Sequence, residues 1–182
     1  MTTSLRFLRG FCQGCSAILL LALAAQAWSA QAGDLSGWKP VAEGGAVVEV
    51  AQDTATPLDE QNTNSLRLTV KNPGRRAGIV SGQTEEVIAQ AGQWYDLWFY
   101  ASTEANRHFA LTVSLESPDG KMVGARATIP EVGGPWTKYH LALNARQGAA
   151  PCRMVITMAE TGTIRLNVIT LITRTKAQNP RP

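Results

Sequence analysis

An all-β sandwich or barrel is the fold class this sequence predicts, and three observations predict it. First, about seven or more short segments alternate apolar and polar residues, the period of a strand with one buried face. Second, turns built from Gly, Pro, Asn and Asp separate these segments. Third, beyond the N-terminal stretch no apolar pattern repeats with helical spacing.

The N-terminal stretch stands apart. Arg6 and Arg9 precede an unbroken apolar run, Ala17 to Ala25. Small-x-small sites follow at Ala25-Gln26-Ala27 and Ala30-Gln31-Ala32. This is the layout of a secretory signal peptide, expected over residues 1–32. An uncleaved anchor is the alternative, but the run is shorter than the about 20 residues a span needs. The expected remainder is one β-sandwich domain over 33–172 and a flexible tail over 173–182. The mature protein is expected to be secreted or periplasmic, with no membrane span.

Charge and cysteines exclude other classes. The chain of 182 residues carries a formal charge of +3, and losing two arginines with the leader brings it close to neutral. That argues against nucleic acid as a partner. Cys12 and Cys15 fall in the leader, which leaves Cys152 alone, a small buried residue rather than half of a disulfide.

The elements follow in order. Residues 33–45 are punctuated by glycines, and Trp38 is expected to plug one end of the sandwich. Ala46 to Ala51 reads as a first strand, followed by a polar loop. Leu66, Leu68 and Val70 alternate inward before an Asn72-Pro73-Gly74 turn, and a short strand covers Gly78 to Ser81. Val87 to Ala89 is a weak strand or simply the approach to the most aromatic segment of the chain. There Tyr95, Leu97, Phe99 and Ala101 make a core face, and Trp94, Asp96, Trp98 and Tyr100 make the other. Phe109 to Leu115 is the next strand, and Ser117-Pro118-Asp119-Gly120 turns it into a partner running to Ile129. Trp136 to Leu143, Met154 to Met158 and Thr163 to Ile172 complete the set.

Several of these segments, taken in series, resemble a known module. They are Asn64-Ser65-Leu66-Arg67-Leu68-Thr69-Val70, Asn72-Pro73-Gly74-Arg75-Arg76-Ala77-Gly78-Ile79, the Tyr95-x-Leu97-x-Phe99-Tyr100-Ala101 strand, and Leu111 to Lys121. Trp136-Thr137-Lys138-Tyr139 and Gly162-Thr163-Ile164-x-Leu166-Asn167 follow. The series is similar to the non-catalytic β-sandwich domain that precedes the barrel in bacterial α-L-arabinofuranosidases, and to the wider CenC-like group of carbohydrate-binding modules. The resemblance covers most of residues 64–171. It implies a galactose-binding-like jelly roll and carbohydrate as partner. Two places depart from that pattern. Gly82-Gln83-Thr84-Glu85-Glu86 holds no aromatic where such modules carry one. Leu166-Asn167 stands where they have Leu-Asp, an aspartate that often helps bind a structural calcium. No cofactor is otherwise expected, and asparagine lacks the charge a hard cation favours.

The expected site follows from the second face of the aromatic strand. Trp98 and Tyr100 offer flat apolar surfaces to sugar rings, and Asp96 offers an acceptor for hydroxyls. Thr112, Ser114, Lys138 and His140 would join them if their faces share the same sheet. Arg76, after the Asn-Pro-Gly turn, could grip an acidic group, with a solvated loop as the alternative. The aromatics have alternatives too: cover by a loop or terminus, or a protein interface. No paired carboxylates are marked by a motif, and no nucleophile elbow, phosphate loop or metal-ligand spacing occurs, so no enzymatic activity is expected. A structural or protein-interaction domain of the periplasm or cell surface is the second functional class.

Overall fold

The computed structural model describes residues 27–30, 37–82, 87–121 and 123–174. Most of the expected leader, residues 175–182 of the tail expected over 173–182 and the Gln83–Glu86 departure lie outside the described residues. Residues 27–30 do not: they form a strand. Thr173 and Arg174, expected in the tail, are instead held by the backbone of Trp94 and Tyr95.

Among the described residues, twelve strands make two antiparallel sheets. They are β1 Ala27–Ala30, β2 Trp38–Glu43, β3 Val47–Asp53, β4 Ser65–Asn72, β5 Arg76–Ser81, β6 Val87–Ala89, β7 Trp94–Thr103, β8 His108–Glu116, β9 Val123–Gly133, β10 Thr137–Asn144, β11 Ala149–Met158 and β12 Gly162–Thr173. The first sheet runs β10-β7-β12-β4-β3, and the second runs β2-β5-β11-β8-β9. Two short strands extend them: β1 pairs with β12 opposite Ile169–Ile172, past the end of β4, and β6 pairs with β11. This is a jelly-roll β-sandwich, the architecture the sequence resemblance implied.

The core lies between the sheets and is supplied by alternation. From β7 come Tyr95, Leu97, Phe99 and Ala101, each at most 3% exposed. Leu66, Leu68 and Val70 come from β4, Phe109, Leu111, Val113 and Leu115 from β8, and Ile164 and Leu166 from β12. Burying each large aliphatic or aromatic side chain contributes about 1.5–3 kcal/mol, which offsets the cost of ordering so many strands. Two tyrosine hydroxyls at the core are satisfied by backbone groups. The Tyr95 hydroxyl donates to the Ile88 carbonyl at 2.7 Å and accepts from the Gln90 amide at 3.0 Å, tying β6 to β7. Tyr139 stacks on Phe99, and its hydroxyl bonds the backbone of Gly133, so it anchors the edge of the core.

Two elements differ from the sequence reading. The glycine-punctuated stretch contains a strand, β2, where none was expected. Among the described residues it sits at a sheet edge and pairs only with β5, which is where Pro40, lacking a ladder donor, is tolerated. Trp38 at its start is buried in the core, in keeping with the plug expected of it. β11 begins at Ala149, well before the Met154 pattern, because its first half pairs with the short β6.

Candidate functional site

The outer face of the first sheet is built by three neighbouring strands. β7 lies between β10 and β12, with Lys138 opposite Tyr100, His140 opposite Trp98 and Thr170 opposite Trp98 on the other side. Because strand side chains alternate, these residues all point away from the core. The pairing brings Lys138 and His140 to the Trp98 platform. It leaves Thr112 and Ser114 on β8 in the second sheet, so they do not join it.

β12 carries a bulge at this point. Its register against β7 shifts between Asn167 and Thr170, so Val168 and Ile169 together oppose Phe99. Val168 takes φ 47, the left-handed region, which a β-branched residue rarely adopts. Such backbone strain concentrates where a surface is being shaped. Val168, Thr170 and Ile172 form one wall of an open groove of about 350 Å³, and Trp98, Tyr100 and Lys138 form the other. That volume falls within the range of small-ligand sites.

Polar contacts fix the aromatic wall. The Arg174 guanidinium forks onto Asp96, with its Nε donating to Oδ2 at 2.9 Å and Nη2 bonding Oδ1. His140 Nε2 lies 2.7 Å from the same Oδ1. The hydrogen bonds from Arg174, and then those with His140, hold the Asp96 carboxyl below the usual carboxylate range against the opposing effect of burial. His140, so anchored, stacks on Trp98 with ring centroids 4.1 Å apart. Asp96 therefore orients the platform through His140, and both of its oxygens are engaged. Trp98 remains 36% exposed. The Lys138 ammonium stands 4.9 Å from the Trp98 ring centroid and 5.9 Å from that of Tyr100, within cation–π range.

Arg76 is elsewhere. It lies on β5 in the second sheet, where it bonds the fully buried Glu116 and also reaches Glu43 at 3.5 Å. Ser114 donates to the same Glu116 oxygen. The two expectations for Arg76, a grip on an acidic ligand and a solvated loop, both meet a guanidinium compensating a buried internal carboxylate.

At Asn167, where the resemblance pointed to a structural calcium, the side-chain Oδ1 is buried with no hydrogen-bond partner among the described residues. Asn167 turns its amide nitrogen, a donor, toward the carbonyls of Asn62 and Asn64 at 3.4 and 3.1 Å. Two residues earlier on β12, Arg165 bonds Asp53 at 2.7 Å and Glu104 at 2.8 Å, so fixed positive charge already serves these acids. Among the described residues no three His, Cys, Asp or Glu gather as metal ligands. Cys152 is buried, and burial pushes its thiol up to about 11, which keeps it protonated and unreactive at neutral pH. Among the described residues no helix is long and apolar enough to cross a membrane.

The two stacked antiparallel sheets define a class of architecture, the jelly-roll β-sandwich. No protein-family model matches the chain, and no curated protein matches it in sequence. Solved structures do match. An arabinose-bound α-L-arabinofuranosidase, MgGH51, superposes with a TM-score of 0.66 at 21% identity over 87% of this chain. The match covers 26% of the arabinofuranosidase, so this chain spans about a quarter of that enzyme. The CBM22-1 xylan-binding domain of Paenibacillus barcinonensis Xyn10C matches at 0.59 and 15% identity, over 82% of this chain and 94% of that one. The family 11 carbohydrate-binding module of Clostridium thermocellum, in complex with a β-1,3-1,4-mixed-linked tetrasaccharide, matches at 0.54 and 12% identity, over 81% and 96%. At these identities the likeness is one of fold. It agrees with the resemblance drawn from the sequence, and the two neighbours covered almost end to end are binding modules.

Proposed function

We propose that this chain is an exported, non-catalytic module that binds carbohydrate on the outer face of its first sheet. Trp98 and Tyr100 present apolar surface to the C–H faces of sugar rings, and Thr170 and Lys138 supply hydrogen bonds that fix orientation. Asp96 holds His140 against Trp98 and keeps the platform rigid, which lowers the ordering cost of binding. The observation that carries this reading is the open groove beside the His140-backed Trp98 ring. The fold neighbours support it, because a xylan-binding domain and a carbohydrate-binding module share the architecture. The leader-like N-terminus supports export.

Calorimetry and tryptophan fluorescence against arabinan, xylan, β-glucan and peptidoglycan fragments test the reading. Saturable binding is expected, and Trp98→Ala is expected to weaken it at least tenfold while leaving the far-UV circular dichroism unchanged, since Trp98 is not a core residue. A folded Trp98→Ala variant that binds as well as the parent removes the site assignment. A folded monomer that binds none of the glycans points instead to a protein-interaction domain.

A further inference from the structure

Resting on the sugar-platform reading, we propose that the glycan taken by this groove carries carboxylates: it is a uronic acid polymer or a glycan with uronic acid branches. The inference starts from charge. Asp96, the acid beside the groove on β7, is neutralised by the Arg174 fork and further engaged by His140. It projects no free acceptor into the groove. Lys138 differs. Its ammonium is exposed, stands over both platform rings, and has no carboxylate within 4 Å among the described residues. Beside the groove the unpaired charge is therefore positive, and it sits at the aromatic wall.

The surroundings sharpen this. Opposite the rings the groove wall is Val168, Thr170 and Ile172, which offers one hydroxyl and otherwise methyl groups. A neutral sugar needs several partners for its hydroxyls, and this groove supplies few. A sugar stacked on Trp98 or Tyr100 places its ring substituents beside the Lys138 ammonium, which the rings already hold in position. A carboxylate on that ring gains a charge-assisted hydrogen bond, stronger than a bond to a neutral hydroxyl. Cation–π contact with the rings does not neutralise the ammonium, so it remains available to the anion.

The test compares polygalacturonate, alginate and glucuronoxylan oligosaccharides with their carboxyl-reduced counterparts, which keep the backbone and lose the charge. Calorimetry is run on the parent, Lys138→Gln and Trp98→Ala, with circular dichroism confirming that each is folded. At least one acidic oligosaccharide is expected to bind about tenfold tighter than its reduced form at low salt. The preference should shrink at high salt and vanish in Lys138→Gln. Equal binding of acidic and reduced forms, or a preference that survives Lys138→Gln, overturns the proposal. If neutral glycans bind through Trp98 with no preference for acid, this inference falls and the proposed function stands. If neither acidic nor neutral glycans bind, both fall.

Discussion

Asp96 faces outward from a strand whose other outward residues are Trp94, Trp98 and Tyr100, and it organises them. Its bonds to Arg174 and His140 favour the ionised carboxylate, so its folded value lies below its unfolded one. Stability from such a group is fully present above the unfolded value, about 3.9, and is lost as pH falls through the depressed folded value. Asp96→Asn is expected to cost about 1–2 kcal/mol at neutral pH. It should also flatten the fall of melting temperature in acid, so that parent and variant converge there. Thermal melts of both proteins from neutral to strongly acidic pH check this. Parallel curves would mean that the Asp96 pair contributes nothing. The outward placement of Trp98, Tyr100 and Asp96 was legible in the sequence, because a strand's side chains alternate with a period of two. The partners of Asp96 were not. Arg174 lies 78 residues away along the chain and His140 lies 44 away, and only strand pairing brings them close. For the same reason Arg76, Thr112 and Ser114 could not be assigned to a sheet from their local pattern.

At the scale of elements, strands with clean alternation were legible and those shaped by close approach were not. β4, β7, β8 and β12 fall where the pattern places them. β2 was hidden by flanking glycines and by Pro40, and its existence depends on β5 beside it. The β12 bulge left no trace, because Val168 carries none of the Gly or Asn character that usually marks a left-handed residue. β5 holds a sharp local constraint. A Cβ on Gly78 would lie 2.1 Å from the carbonyl oxygen of Ile156, a backbone atom of the paired β11 that cannot swing aside. Gly78→Ala is therefore expected to destabilise the protein by about 3 kcal/mol, or to prevent folding, by forcing β5 off β11. Gly148→Ala is the control. Its Cβ would meet only the Ala89 oxygen at 3.7 Å, an ordinary contact, and its effect should stay within about 0.5 kcal/mol. Urea titration of the two variants decides the matter, and equal midpoints would contradict the packing of β5 on β11.

At the scale of the whole molecule, the two sheets share a single core. Its buried residues come from both, with Phe99 and Leu166 on one side and Phe109, Leu111 and Ile156 on the other. Neither sheet keeps a buried face without its partner. The pairings that close the sandwich also join distant parts of the chain: β4 meets β12, and Thr69 bonds Thr163 across 94 residues. The all-β class was legible because alternation is local. The strand order was not, because nothing within a strand names its neighbour. This architecture predicts how the protein unfolds. Cooperativity requires that losing one sheet exposes the core face of the other, so no half-folded sandwich should accumulate. Tryptophan fluorescence reports on both layers, through Trp98 in the first sheet and Trp38 in the second, while far-UV circular dichroism reports on all strands. In urea the two signals are expected to give one coincident transition. Refolding should take milliseconds to seconds, because loop closure between strands so far apart must precede the contacts that stabilise it. Separated transitions would mean that one sheet persists alone, which would require a second core that the buried residues do not provide.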